Sequence, residues 1–279
     1  MRYLHIGDIV GQPGRHIITK SLHGLKKKLG LTIVTANGEN SAAGSGMTPT
    51  IYTELTEAGV DCLTMGDHVF KRKEIIPTLE REPRIVRPAN YPVESPGRGH
   101  VILNLTHGAR CAVINLLGRV FMGPIDCPFH AADKILRMLP PDVKIVFVDF
   151  HAEATSDKQV MGRYLDGRVT AVLGTHTHVA TADECILPGG TAFQCDVGMT
   201  GPMESILGRR IDRVLETTLT ARPTAYDVAE NDIRLHGTLV DFEYTTGKAT
   251  KIERLVVTMA EAEESYKLQV SSYKNGSIS

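Results

Sequence analysis

Residues 169–178 read Val-Thr-Ala-Val-Leu-Gly-Thr-His-Thr-His, an apolar and β-branched run that changes abruptly into a polar cluster. The run predicts a buried strand over Val169–Leu173. On an extended segment, His176 and His178 point to the same side, as a pair of metal ligands requires. The stretch therefore predicts a buried strand that ends in a candidate metal site.

Four other segments share this pattern of a predicted buried strand that ends in polar residues. They are Ile6-Gly7-Asp8, Asn37-Gly38-Glu39-Asn40, Met65-Gly66-Asp67-His68 and Val148-Asp149-Phe150-His151-Ala152-Glu153. In open α/β sheets, ligands bind at the carboxyl ends of parallel strands. We therefore expect all these strand ends to converge on one spot, where the glycines let the backbone approach closely.

The expected cluster combines three carboxylates with three imidazoles, namely Asp8, Glu39, Asp67, His151, His176 and His178. Carboxylates a few ångströms apart repel one another, and their pKa values would rise unless cations neutralised them. The mixed oxygen and imidazole set predicts two transition-metal ions, and iron, manganese and zinc all suit it. We expect Glu39 to bridge the two ions. Asp8 and His178 would then bind one ion, with Asn40 as an additional neutral ligand, and the other three residues would bind the second.

Apolar bursts alternate with helical stretches along almost the whole chain, which indicates an α/β fold. The predicted strands are Tyr3–Ile6, Leu31–Thr35, Asp61–Thr64, Val101–Leu105, Ala112–Leu116, Lys144–Val148, Val169–Leu173, Gly237–Tyr244 and Ala249–Val257. The predicted helices are Gly14–Leu29, Thr48–Ala58, a segment after Pro128, another from about Glu153, and Met203–Leu219. Strands 101–105 and 112–116 form a hairpin around a turn at 106–109, so we expect two sheets that are partly parallel and partly antiparallel. We expect a single domain over residues 1–260 and a polar tail over 261–279.

The composition excludes several classes of protein. The chain has 279 residues, a formal net charge of -1, and an ordinary balance of 42% hydrophobic and 23% charged residues, which excludes disordered and fibrous proteins. Near-zero net charge does not support RNA as a partner bound by bulk electrostatics. The five cysteines contain no CxxC pair and predict neither a disulfide framework nor a thiolate zinc site. No apolar run is long enough to span a membrane, so we expect a cytoplasmic protein.

In order and spacing, the five polar segments resemble the YmdB-like branch of the calcineurin-type metallophosphoesterases. The similarity extends to Arg87–Pro92, Asp126–Phe129 and Asp196–Pro202, and it covers nearly the whole chain. It implies a four-layered α/β/β/α sandwich of two mixed sheets flanked by helices, with a dinuclear centre of iron or manganese. The implied activity is hydrolysis of small phosphodiesters, with 2′,3′-cyclic nucleotides favoured, and the family also implies a homo-oligomer.

The resemblance also implies roles for individual residues. One ion would be bound by Asp8, Glu39, Asn40 and His178, and the other by Glu39, Asp67, His151 and His176. His68 would be the proton donor. At position 67 the family normally has Asn, whereas this chain has Asp67. The added negative charge predicts tighter metal binding and stronger repulsion of phosphate.

The expected mechanism has two cations that turn a shared water into the nucleophile while His68 protonates the leaving ribose oxygen. Two alternatives remain open from the residues. One is a metal-containing regulatory protein that senses a nucleotide or RNA with slow turnover. The other is a phosphomonoesterase or nuclease. A purely structural metal site is disfavoured, because His68 has no ligand role.

Overall fold

The computed structural model describes residues 1–105 and 108–264. The strands of this part are β1 (Arg2–Ile6), β2 (Asp8–Ile9), β3 (Ile33–Asn37), β4 (Cys62–Thr64), β5 (Ile85–Val86), β6 (His100–Asn104), β7 (Arg110–Leu117), β8 (Ile145–His151), β9 (Ala171–Thr175), β10 (Cys185–Ile186), β11 (Ala192–Gln194), β12 (Met199–Pro202), β13 (Ile233–Phe242) and β14 (Ala249–Thr258). The helices are α1 (Gly11–Leu29), α2 (Pro49–Glu57), α3 (Ile76–Arg81), α4 (Pro128–Met138), α5 (Thr155–Leu165) and α6 (Ile211–Thr220), with a 3₁₀ turn at Lys73–Ile75.

The strands form two mixed sheets. The first sheet has the order β2-β12-β13-β1-β3-β4-β5, and β14 also pairs with β13. Within it, β1, β3, β4 and β5 run parallel, whereas β13 is antiparallel to β1. The second sheet has the order β10-β11-β9-β8-β7-β6, with a parallel centre and antiparallel edges. Both sheets therefore present parallel strand ends along one edge.

Three hydrophobic clusters separate four layers. Because strand residues alternate between faces, Phe147 of β8 packs between the two sheets, whereas Val146 and Val148 pack toward α4 and α5. On the other side, Leu4 of β1 packs in the cluster that contains residues of α1 and α2. This arrangement confirms the α/β/β/α sandwich that the resemblance implies.

The predicted ends of three strands were wrong. The predicted strands at 31–35, 144–148 and 169–173 stop where the apolar residues stop, but β3, β8 and β9 continue into the polar clusters. Backbone pairing with a parallel neighbour continues there, as between His151 and Thr175, and it does not depend on side-chain polarity. Polar residues of the site therefore belong to the strands themselves.

The helix predicted over Met203–Leu219 begins eight residues later, because α6 starts at Ile211. Residues 203–210 form turns, and Leu207 and Gly208 have φ angles of +52° and +88° that an α-helix cannot contain. The prediction also missed α3 and the short strands β2, β5, β10, β11 and β12.

Some expectations fall at the limits of the described residues. Residues 106 and 107 of the predicted hairpin turn lie outside them, although β6 and β7 pair antiparallel as expected. The expected tail over 261–279 lies outside them from residue 265 onward, while Ala262 is buried. No helix of the described part is both long enough and apolar enough to cross a bilayer.

Candidate metal centre

Eight polar side chains meet where strand ends of the two sheets come together. Asp8 opens β2, and His151 is the last residue of β8. The others follow directly after β3, β4 and β9, and are Glu39, Asn40, Asp67, His68, His176 and His178. The structure thus brings together every residue of the site predicted from the sequence.

One half of the cluster surrounds the imidazole of His151. Its Nε2 lies 3.1 Å from Glu39 Oε1, 3.3 Å from Asp67 Oδ1 and 2.9 Å from His176 Nδ1. One donor atom from each of the four residues lies within 4.8 Å of the others. Two imidazole nitrogens and two carboxylates at this spacing can coordinate a single transition-metal ion.

The other half of the cluster also adjoins Glu39. His178 Nε2 is 3.8 Å from Asp8 Oδ1 and 3.1 Å from Asn40 Nδ2. Asn40 Nδ2 in turn reaches Glu39 Oε1 at 3.5 Å. Glu39 Oε1 therefore contacts residues of both halves.

His68 stands next to both halves. Its backbone N–H donates to Glu39 Oε2 at 2.8 Å, and its Nδ1 lies 2.8 Å from Asn40 Oδ1. Its side chain is 29% exposed, whereas that of Glu39 is buried. The imidazole can therefore reach a bound molecule from the solvent side of the cluster.

The buried charges fit a cation. Asp8 is fully buried, and its Oδ1 accepts no hydrogen bond in the described part of the chain. A buried carboxylate oxygen without a donor is costly unless a cation compensates it. Together with the oxygen and imidazole donors around it, this orphaned atom shows that the residues present suit a metal ion.

Burial and neighbouring charges shift the pKa values of the candidate ligands in opposite directions. Burial raises the pKa of Asp8 well above its ordinary value, against the opposing effect of His151. Burial lowers the pKa of His151, but Glu39 and Asp67 outweigh it, so the net pKa is well above the ordinary value. Burial and the charge of His151 lower the pKa of His176 to about 4. The pKa values of Asp8 and His151 are therefore shifted upward, whereas that of His176 is shifted downward.

Gly66 makes the close approach of these ligands possible. A Cβ atom at this position would lie 2.3 Å from Glu39 Oε2 and 2.3 Å from His151 Nε2. No side chain fits there without displacing one of these ligands. The backbone between β4 and Asp67 thus passes directly against the cluster.

The prediction from sequence missed the residues that orient the imidazoles. His151 Nδ1 lies 2.9 Å from Thr175 Oγ1, which donates to Asp149 Oδ1 at 2.6 Å. His176 Nε2 lies 3.2 Å from Glu153 Oε2. Such partners fix the tautomer and direct the other ring nitrogen at a metal. The period of two along β8 puts Asp149 and His151 on one face, and this signal could have identified Asp149.

Comparison with known proteins agrees with this geometry. A family model described as YmdB-like protein matches residues 4–255. A protein of Bacillus subtilis (strain 168) named 2′,3′-cyclic-nucleotide 2′-phosphodiesterase is 45% identical over 257 residues, which is 92% of this chain and 97% of the relative.

Two solved structures are similar as well. A hypothetical protein from Thermus thermophilus is 42% identical, with a TM-score of 0.86 over 92% of this chain and 99% of that one. A structure described as a novel phosphatase from Mycoplasma pneumoniae is 31% identical, with a TM-score of 0.87 over 92% of this chain and 93% of that one. Both similarities extend over nearly the full length of each partner.

Proposed function

This chain belongs to the family of YmdB-like proteins, a family of phosphoesterases, and from that membership we propose that it hydrolyses 2′,3′-cyclic nucleotides at a dinuclear metal centre. The observation that carries the proposal is the buried cluster of carboxylates and imidazoles around Glu39, with a partly exposed histidine beside it. The name of the Bacillus subtilis relative supports the choice of substrate class.

The donor atoms suggest which residues hold each ion. One ion would be held by Glu39, Asp67, His151 and His176, and the other by Asp8, Glu39, His178 and the amide oxygen of Asn40, which in this structure faces His68 Nδ1 while the amide nitrogen faces His178. The donor set suits iron or manganese, with zinc as a further candidate. When bound, such ions supply Lewis acidity that activates water and neutralises charge on a phosphate.

His68 is proposed as the proton donor to the leaving group. In the imidazolium form, the Nδ1–H donates to Asn40 Oδ1 and the Nε2–H carries the proton that can pass to a substrate oxygen, which leaves His68 as a neutral imidazole. Cleavage of a 2′,3′-cyclic phosphate breaks a bond from phosphorus to a ribose oxygen, and that oxygen leaves as a poorly stabilised alkoxide. Transfer of the proton from Nε2 to this oxygen makes it a hydroxyl.

The variant His68→Ala tests this role. We expect it to bind metal as the wild type does and to lose about 10²–10⁴-fold in kcat on 2′,3′-cyclic nucleotides, the usual range for a positioned general acid. Steady-state kinetics and elemental analysis of the same sample measure both. His130→Ala, in an exposed position on α4, is the matched control. Wild-type turnover in His68→Ala with metal retained would remove His68 from the acid role.

A substrate panel tests the class of reaction. The same enzyme preparation is assayed on 2′,3′-cyclic, linear dinucleotide and monoester substrates with iron, manganese and zinc. We expect the cyclic substrate to be hydrolysed fastest. Similarity to the Mycoplasma pneumoniae phosphatase favours monoester hydrolysis as the second candidate function, and fastest hydrolysis of monoesters would support it. Saturable binding without product would instead indicate a sensor.

A further inference from the structure

The segment His176-Thr177-His178 has a strained backbone. His176 has a φ of +97° and His178 a φ of +65°, in the left-handed region that residues with side chains rarely adopt. Backbone strain of this kind persists only where surrounding contacts hold it in place. In this segment His176 Nδ1 faces His151, while His178 Nε2 faces Asn40. The segment is therefore not extended as the sequence predicted, and its strained conformation directs the two imidazoles at the two halves of the cluster.

Thr177, between the two histidines, is held by one buried carboxylate. Its backbone N–H donates to Asp196 Oδ2 at 3.0 Å, and its Oγ1 donates to the same oxygen at 2.7 Å. Lys158 Nζ donates to this oxygen as well, at 2.7 Å, and the backbone N–H of Gly198 donates to Asp196 Oδ1 at 2.8 Å. Four donors therefore use both oxygens of Asp196.

The ion pair between Lys158 and Asp196 is almost completely buried, with side chains 3% and 1% exposed. Burying two charges costs a large desolvation free energy, which a pair in good geometry only partly recovers. A buried pair is therefore poor evidence for a contribution to stability, and its position calls for another explanation. Lys158 lies on α5, and Asp196 contacts Thr177 in the segment that follows β9. Asp196 is not one of the candidate metal ligands described above.

We propose that Lys158 and Asp196 are positioning residues that hold His176-Thr177-His178 in its strained, ligand-directing conformation. Asp196 binds the segment through Thr177, and Lys158 neutralises Asp196 and fixes its orientation from α5. Neither side chain touches substrate. The inference rests on the proposed metal centre, because it concerns how that centre is assembled.

The decisive variant is the double substitution Lys158→Met with Asp196→Asn. It removes one positive and one negative charge together, so the net charge of the region stays unchanged. The amide of an Asn has one acceptor oxygen, whereas the donors around Asp196 occupy both sides. Whichever way the amide is oriented, its NH₂ group faces either the two donors of Thr177 or the N–H of Gly198, so one of the two groups of hydrogen bonds that hold residue 196 in place is lost.

The readout is a metal-binding isotherm of the metal-free protein with Mn²⁺, measured without any substrate. We expect the double variant to bind Mn²⁺ about 10–100-fold more weakly than the wild type. A loss of this size is typical when a residue that orients a metal ligand is replaced. The control is Thr191→Val, because Thr191 is also buried and its Oγ1 donates to Val169 O at 2.6 Å, at the opposite end of β9. We expect Thr191→Val to reduce thermal stability and to leave the isotherm unchanged.

Thr177→Val keeps the ion pair and removes only the hydroxyl that donates to Asp196, so it provides a test if the double variant fails to fold. We expect this variant to bind Mn²⁺ about tenfold more weakly, the lower end of the effect of one hydrogen bond to a charged group. Wild-type isotherms for a folded double variant, or for Thr177→Val, would overturn the inference. If the wild-type protein itself bound no metal, the proposed function would fail instead, so the two failures are distinguishable.

Discussion

Asp67 is the residue at which the resemblance predicts a departure from the family, which normally has Asn there, and its surroundings show what a carboxylate adds at this position. Its Oδ1 lies 3.3 Å from His151 Nε2 and 3.5 Å from His176 Nδ1, in the middle of the ligand cluster. A carboxylate there adds a full negative charge that an Asn would not carry. The same charge that attracts a cation also repels the phosphate of a substrate.

The variant Asp67→Asn should therefore move metal affinity and turnover in opposite directions. We expect metal binding to weaken by about tenfold or more, through the loss of one charge at short range. At saturating metal, we expect kcat/KM on 2′,3′-cyclic nucleotides to rise. Titration with Mn²⁺ followed by kinetics measures both. Asp61→Asn removes a carboxylate just before β4 begins and is the control. Unchanged metal affinity in Asp67→Asn would show that the charge at position 67 does not contribute to metal binding.

Protonation of the ligands gives a second prediction at this scale. In the metal-free protein, burial raises the pKa of Asp8 and the carboxylates of Glu39 and Asp67 raise that of His151, whereas the pKa of His176 falls to about 4. A metal ligand must be deprotonated, so metal affinity should increase with pH through the raised pKa of His151, which lies well above the ordinary histidine value of about 6.5. Calorimetry in two buffers of different ionisation enthalpy detects the released protons. A binding enthalpy independent of the buffer contradicts this prediction.

At the scale of the elements, the space between the two sheets changes character along the strands. Residues that face this space are apolar at one end, such as Ile33 and Phe147, and polar toward the site, such as Asn37, Asp149 and Thr175. Asn37 Nδ2 and Thr175 Oγ1 both donate to Asp149, which ties the two sheets together beneath the metal ligands. The site is thus built on the rigid sheet layer as well as on loops.

The segment between β4 and Asp67 gives a testable consequence of this close packing. In Gly66→Ala, the new methyl group would collide with Glu39 and His151, so we expect most of the bound metal and activity to be lost. Gly123→Ala is the matched control, since no atom lies within 4 Å of the corresponding Cβ. Metal content and thermal unfolding of both variants decide the outcome. Full metal occupancy in Gly66→Ala would contradict this expectation, because it would mean that the backbone at residue 66 can move away from Glu39 and His151 without displacing them.

The elements also show how far sequence reasoning extends. The presence of the strands and the polar residues that accompany them are predictable, because apolar runs and the residues that follow them are local features. The bounds of β3, β8 and β9 are not, because these strands continue through backbone pairing that side-chain polarity does not report. Lys158 and Asp196 are 38 residues apart, and neither carries a local signal that the other is its partner. Long-range contacts of this kind require the fold.

At the scale of the whole molecule, the four layers explain why ligands from distant parts of the chain meet. Asp8 and His176 are 168 residues apart, yet the His176 N–H donates to Asp8 Oδ2 at 3.0 Å. One sheet supplies Asp8, Glu39 and Asp67, and the other supplies His151 and His176, so neither sheet could form the centre alone. Homo-oligomer formation, cytoplasmic location and the single domain over residues 1–260 remain predictions.

Elemental analysis of protein purified without added metal tests the central claim most directly, when the wild type and His176→Ala are compared. The wild type should contain about two ions of iron or manganese per chain. His176→Ala should contain clearly fewer, because one of four donors converging at the His151 half of the cluster is lost. A wild type that contains no transition metal, or a His176→Ala variant with the full wild-type content, would contradict the account.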